Sequence, residues 1–410
     1  VRVLAVVPLY PPHHLGGYEV VCRGVMERFA ERGHDVLVLT SETRLPDRED
    51  ADDRRPVTVE RTLRGWWDWE THGSMNASFQ QRVAIERHNQ RIVRNALERF
   101  QPDVVSVWSL VYMSFSTVTI VERAGVPVVV SLGDDWITYA WALDEWTRIF
   151  ERRPWLSPLG RLAGLETRLP SFRGATVTAA SEMIRDSVAK TAPWKFSDVP
   201  IIRMGLETKD FPLADPHPER WSWRLLYVGR IVPTKGIGTA IKALPMLPAE
   251  ARLDIDGHGP PEVIDELKAL AADLGVSDRV TFRRSPRSAL ADLYREADVV
   301  VFPSEWPEPF GLVPLEAMAR GTPVVATGTG GSGEFLHDDT NCLRFEPGDP
   351  AALAAAVSRL GNDVDLRRRI AEGGTRTASE MTIDHYAERL AAVHLAAAGR
   401  GSDELQPGAA

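Results

Sequence analysis

The chain has 410 residues, more than one hydrophobic core of about 250–300 residues accommodates, so two domains are expected. A formal net charge of −9 argues against a general nucleic-acid binder, which needs a basic face, and leaves any anionic substrate to a few placed cations and backbone N–H groups. The composition, 44% apolar and 26% charged, is that of a globular protein, with no apolar run of about 18 residues to span a membrane.

The first strand is Val3 to Val7, a continuous apolar run of the kind buried on both faces of a parallel sheet. It lacks the basic start and cleavage site of a signal peptide. A Pro/Gly loop follows, then a helix from about Tyr18 to Arg32 with Val21, Val25 and Phe29 on one face, ended by Gly33. Val36 to Leu39 is the second strand, which opens a doubly wound pattern. Asp47 to Arg55 is charged, without an apolar period, and reads as a mobile loop. Residues 77–100 read as a helix, and Val104–Val107, Val126–Ser131, Ala175–Thr178 and Ile201–Ile202 as strands. Polar sequence from Lys209 to Trp223 reads as a linker, after which the alternation restarts with strands at 225–228, 253–255, 280–282, 299–302 and 324–325. Two successive α/β patterns imply two Rossmann-like doubly wound domains facing a cleft. The tail after Gly399 is small and polar and is expected to be disordered. Cys22 and Cys342 form neither a metal-ligand spacing nor a disulfide framework, so a reducing, cytoplasmic location is expected. The abundance of Ala and Arg points to a GC-rich bacterial genome.

Three segments carry chemistry. Glu308-Pro-Phe-Gly-Leu-Val-Pro-Leu-Glu316 follows a buried strand and opens a helix, whose unpaired N–H groups and partial positive charge suit a diphosphate. Gly311 allows close approach to the backbone, and each flanking carboxylate can accept two sugar hydroxyls. Taken alone, Glu308 and Glu316 read as helix N-terminal charges. Gly229-Arg-Ile-Val-Pro-Thr-Lys-Gly236 places Arg230 and Lys235 in one loop, able to neutralise a leaving diphosphate, against the plainer reading of solvated cations. Leu15-Gly-Gly-Tyr-Glu19 offers glycine N–H groups to a phosphate, although a lone Gly-Gly also simply starts a helix.

In combination and in this order, the Gly-Gly loop, the Arg…Lys-Gly loop and the Glu-x7-Glu segment resemble the family-four retaining glycosyltransferases of the GT-B fold, the glycogen-synthase-like group 1 enzymes. The resemblance runs from Arg2 to about Ala398 and includes Pro303-Ser304, Ala317 to Ala326 and Gly330-Gly331…Glu334. It implies an acceptor domain over 1–208, a nucleotide-sugar donor domain over 209–380, a helix over 381–398 crossing back to the first domain, and a tail over 399–410. Arg230 and Lys235 would bind the diphosphate. Glu308, with the N–H groups of Phe310, Gly311 and Leu312, would hold sugar and phosphate, and Glu316 the ribose. Gly16 or Gly17 would close on the phosphate, and Arg284 would border the base. Members often carry His-Asp after the fourth strand of the first domain, where the His contacts the donor sugar. Here Gly133 stands in place of the His and Asp134 keeps the acid, as a candidate catalytic helper. Met204-Gly205 replaces a usual Asn-Gly.

The implied reaction is transfer of a hexose-type sugar from a nucleoside diphosphate donor with retention, without a metal or other cofactor. The acceptor is left open among small molecules, lipids and saccharides. Another GT-B sugar-nucleotide enzyme, an epimerase or a synthase using a sugar phosphate acceptor, is an alternative, as is a nucleotide-sugar binding protein without turnover. A dinucleotide oxidoreductase fits less well, because neither Gly loop has the Gly-x-Gly-x-x-Gly spacing. His13-His14 read as exposed loop residues rather than metal ligands. Trp66, Trp67, Trp69, Trp136, Trp141 and Trp146 are candidate acceptor contacts against an equal expectation of core. Arg82, Arg87, Arg91, Arg94 and Arg99 on helix 77–100 are weighed as a membrane surface, with a solvated face preferred.

Overall fold

The computed structural model describes residues 1–45, 56–68, 73–75, 77–216 and 219–400. The 47–55 loop, Trp69 and the 401–410 part of the tail lie outside them. The chain divides into two compact units, Val1–Arg203 with the segment from Asp384 onward, and Met204–Ile383.

The first unit contains β1 (Arg2–Val6), β2 (Asp35–Ser41), β3 (Thr58–Leu63), the antiparallel pair β4 (Trp67–Asp68) and β5 (Gly73–Ser74), β6 (Val104–Val107), β7 (Val128–Leu132) and β8 (Thr176–Ala179). The six-stranded sheet has the order β3-β2-β1-β6-β7-β8 and is parallel throughout. Its helices are α1 (Gly17–Glu31), α2 (Phe79–Phe100), α3 (Ser116–Arg123), α4 (Trp136–Leu143), α5 (Thr147–Arg152), α6 (Ser157–Leu162) and α7 (Glu182–Thr191). The valine-rich strands are buried because helices cover the sheet, which explains their continuous apolar runs. α2 starts where Ser78 and Gln81 cap each other's backbone N–H groups and ends at Gln101 in the left-handed region, just before Pro102.

The second unit repeats the plan with β9 (Arg224–Val228), β10 (Arg252–Asp256), β11 (Val280–Arg283), β12 (Val299–Phe302), β13 (Val324–Ala326) and β14 (Leu343–Arg344), in the parallel order β11-β10-β9-β12-β13-β14. Its helices are α8 (Ile237–Ala243), α9 (Pro261–Asp273), α10 (Arg287–Glu296), α11 (Leu312–Ala319), α12 (Pro350–Asn362) and α13 (Val364–Glu380). Both sheets therefore reverse strand order once, between β1 and β6 and between β9 and β12, and loops at such a switch point form ligand crevices. The last helix, α14 (Ile383–Ala397), returns the chain to the first unit, where Asp384 accepts from Arg28 Nε at 2.7 Å and His394 Nε2 meets Ser106 Oγ at 2.8 Å.

Three expectations are corrected. Ile201–Ile202 is not a strand: Ile201 forms only an isolated bridge with Ala179. The linker read over 209–223 is anchored near its start, where Phe211 is fully buried, Arg287 lies over its ring at 4.9 Å, and Asp210 accepts from Arg287 Nε at 2.9 Å. His13 is buried, not exposed, and its Nδ1 accepts from the Leu45 N–H at 3.1 Å.

Candidate active site

Two loops leave the carboxyl ends of β9 and β12 on either side of the second unit's switch point, and they lock together. The first carries Arg230 and Lys235. The second runs from Pro303 to Glu308. Glu305 N–H donates to the Thr234 carbonyl at 3.0 Å. Gly236 has φ +65°, and a Cβ there would lie 1.9 Å from the Pro303 carbonyl oxygen, so only glycine permits this approach. Behind the second loop, Thr329 Oγ1 donates to the Trp306 carbonyl at 2.7 Å and Gly331 N–H to the Glu308 carbonyl at 2.7 Å.

This bracing fixes Glu308. Lys235 Nζ donates to its Oε1 at 2.5 Å, and Ser304 Oγ to the same oxygen at 2.6 Å. Both charged side chains are largely buried, 17% and 7% exposed, so the pair is held in a medium where each needs the other. Among the described residues, Glu308 Oε2 accepts no protein hydrogen bond and stays available to a ligand hydroxyl. Arg230 is exposed and its guanidinium has no ion-pair partner among the described residues. Its carbonyl instead accepts from Tyr227 Oη at 2.7 Å, and burial, with Glu308 adding to it, raises the Tyr227 pKa. The loop thus presents one committed cation and one uncommitted cation beside an oriented carboxylate.

Phe310 is buried against Phe335, with ring centroids 5.3 Å apart, and Gly311 and Leu312 open α11 with no side chain capping its first turn. Those N–H groups suit an anion. Glu316, one turn into α11, is buried and already engaged. Tyr294 Oη donates to Oε2 at 2.7 Å and Arg287 reaches Oε1 at 3.4 Å. Burial opposes the Arg287 charge, but Glu316 and Asp210 beside it raise its pKa above the ordinary value. A carboxylate has about four acceptor positions, so Glu316 can still accept two hydroxyls while these partners fix its orientation. Arg284 is exposed at the end of β11. The sequence reading missed Arg287 and Tyr294. They lie seven apart on one face of α10, a spacing that reads as ordinary helix until Glu316 is placed beside it.

In the first unit, Gly16 is the exposed N-cap of α1, its N–H donating to Glu19 Oε2 at 3.1 Å, and Gly17 begins the helix. Asp134 follows β7 and takes local donors, Trp136 N–H at 2.9 Å and Tyr139 Oη at 2.8 Å. Gly133 has a physical explanation. The Tyr18 ring lies against it so closely that a Cβ would fall 2.2 Å from Tyr18 Cε2, while Tyr18 Oη donates to the Ser131 carbonyl at 2.5 Å. The Tyr18 ring occupies the space that any side chain at 133 would need. The tryptophans divide: Trp66, Trp136 and Trp146 are core, Trp67 is half-buried and stacked on Tyr112 at 4.0 Å, and Trp141 lies 5.4 Å from the Arg148 guanidinium. Among the described residues no helix is long and apolar enough to cross a membrane.

Comparison with known proteins agrees with this architecture. Residues 16–194 match the family model described as glycosyl transferase 4-like domain, and residues 218–377 match glycosyl transferases group 1. A D-inositol 3-phosphate glycosyltransferase of Xylanimonas cellulosilytica is 40% identical over 179 residues, which is 43% of this chain and 43% of that one. The chain therefore spans less than half the length of that relative. A glycogen synthase of Mycobacterium tuberculosis is 28% identical over 99% of this chain and 97% of its own. HepE of Anabaena, in a structure with UDP-glucose, superposes with a TM-score of 0.67 at 20% identity over 96% of this chain and 98% of that one. With both Rossmann-like units accounted for by the two matched models, the chain belongs to the group 1 glycosyltransferases of the GT-B fold.

Proposed function

We propose that the chain transfers a sugar from a nucleoside diphosphate donor to an acceptor with retention at the anomeric carbon, using side-chain cations rather than a metal ion to take up the diphosphate charge. The observation that carries this is the Lys235–Glu308–Ser304 cluster beside the uncommitted Arg230, in two interlocked loops at the switch point. In this reading Arg230 and Lys235 meet the diphosphate and stabilise its departure. Glu308 Oε2 holds a sugar hydroxyl, the first turn of α11 receives a phosphate, and Glu316 takes the ribose hydroxyls. The bond from anomeric carbon to phosphate oxygen breaks as the acceptor oxygen bonds to the same face, and the acceptor proton passes to the leaving phosphate. Positioning and charge stabilisation supply the rate.

The test is thermal unfolding with UDP, GDP, ADP, CMP and dTDP, with chelator present throughout. A ligand at about 100 times its Kd stabilises the native state by about 2.7 kcal/mol, a shift of several degrees. Selective stabilisation by one diphosphate is expected and names the donor base. No shift with any of them overturns the donor site. With that donor and an acceptor in hand, NMR of the product's anomeric proton tests retention, and an inverted product refutes it.

A further inference from the structure

We propose that the α5–α6 segment of the first unit is a docking surface for an anionic lipid bilayer. Its inner side is firmly seated. Ile149 and Leu156 pack against a small core of Trp66, Trp146, Phe150 and Leu165. Gly160 lies against the Phe150 ring and the Thr167 methyl, where a Cβ would come within 2.5 Å, and Ser157 Oγ meets Thr167 Oγ1 at 2.7 Å. The outer side has no such cover. Trp155, Leu159 and Leu162 are 70%, 59% and 85% exposed. Their spacing of four and then three residues, through the 3-10 turn Pro154–Leu156 and α6, puts them on one stripe. A fixed backbone holding three large apolar side chains in water is a surface built to be covered.

Charge selects the occupant. Between Thr147 and Ala163 there are four arginines and one acid, Glu151, a local excess of three positive charges in a chain of net charge −9. Arg152, Arg153 and Arg161 are exposed, and none has an ion-pair partner among the described residues. On α2, Arg82 pairs with Glu145, Arg99 with Glu60, and Arg94 reaches the Gly164 carbonyl. The basic face considered from sequence therefore keeps only Arg87 and Arg91 exposed and unpaired among the described residues, without an exposed apolar stripe like that of Trp155, Leu159 and Leu162 beside them. The three apolar side chains expose on the order of 400 Å², about half of what each partner of a stable protein interface buries. That area with a tryptophan and a ring of free arginines fits the headgroup boundary of an acidic leaflet, where rings and aliphatic chains enter and guanidiniums meet phosphates.

The test is flotation of the full chain with phosphatidylcholine vesicles, with and without one-third phosphatidylglycerol. It needs no nucleotide, so its outcome is separate from the sugar-transfer reading. The chain is expected to float with the acidic vesicles only and to be released by salt. Each of Arg152→Glu, Arg153→Glu and Arg161→Glu should lower partitioning about fivefold or more. Leu159→Asp with Leu162→Asp should abolish it with the melting temperature kept, since both side chains are exposed. Quenching by brominated phospholipid should fall in Trp155→Phe. Failure of the natural chain to float with acidic vesicles overturns the proposal, as does equal flotation of the double variant. A concentration-dependent dimer in sedimentation that Leu162→Asp dissociates also overturns it, by showing that a second copy covers the patch.

Discussion

Glu86 is a carboxylic acid that folding keeps protonated near neutral pH, and this makes a strong test of the first unit's interior. It lies on α2, fully buried. Its Oε2 accepts from Ser116 Oγ at 2.7 Å and Gln90 Nε2 at 3.0 Å, while Oε1 has no partner. Burial raises its pKa from 4.5 to about 8, and the nearby Asp144 adds to the rise. Between these pH values the folded chain keeps a proton that the unfolded chain has lost. Stability therefore falls as pH rises from about 4.5 to about 8. At about 1.4 kcal/mol per pH unit the whole effect is roughly 5 kcal/mol. Glu86→Gln keeps the shape and the acceptor oxygen and removes the titration. Urea unfolding followed by tryptophan fluorescence suits the measurement, because nine of the twelve tryptophans lie in the first unit. The variant's stability relative to the natural chain should climb by several kcal/mol from pH 5 to pH 8, with groups common to both cancelling. A difference that stays constant across that range refutes the assignment of a buried, protonated Glu86.

His394 works in the opposite direction: burial lowers its pKa from 6.5 to about 4, so its contribution is complete above about pH 6.5 and is lost as pH falls toward 4. NMR of the folded chain should show a neutral ring down to about pH 4, and an imidazole titrating near 6.5 contradicts its burial against Ser106. Lys235→Ala should lower turnover by about two to three powers of ten, and it leaves Glu308 buried with only Ser304, at a cost of about 3 kcal/mol or more in the second unit. Near-normal turnover with a normal melting curve removes Lys235 from the proposed site. Gly133→Ala should destabilise the first unit by about 1–3 kcal/mol, because the new Cβ must displace the Tyr18 ring. Combining it with Tyr18→Ala should recover part of that loss, and strictly additive losses contradict the contact.

The alternation of apolar strands and helices was readable because both sheets are parallel and covered on two faces, so β12 is an unbroken apolar run and β6, β7 and β9 each carry a single polar residue, Ser106, Ser131 and Arg224. β3 escaped because it is an edge strand, half-buried, with Glu60 and Arg61 in its middle. The two-residue strands β4, β5 and β14 are too short to show a period. In the candidate site, Arg230, Lys235, Glu308 and Glu316 were legible because each lies in a loop or helix start tied to its strand by glycines at fixed spacing. Their partners were not, because Arg287 and Tyr294 reach Glu316 from another helix and Ser304 reaches Glu308 across a turn.

Tyr18 and Gly133 show what pairing adds to such a reading. In the sequence, Gly133 stands where the family resemblance implies a histidine. In the structure, it is the space that the Tyr18 ring requires. A ring contributed by α1 occupies the face of Gly133, its hydroxyl is used on the Ser131 carbonyl, and burial, Tyr386 and Asp134 together raise its pKa well above the ordinary value. A phenol held neutral and already donating has no proton left to give to a sugar hydroxyl. Restoring a histidine at 133 alone should therefore fail, since the ring blocks the first carbon of the new side chain. The His variant becomes informative only with Tyr18 reduced to a small residue. If that double variant folds as well as the natural chain, the Tyr18 ring is what bars a side chain at 133; if it does not, Tyr18 has a packing role that a histidine at 133 does not replace.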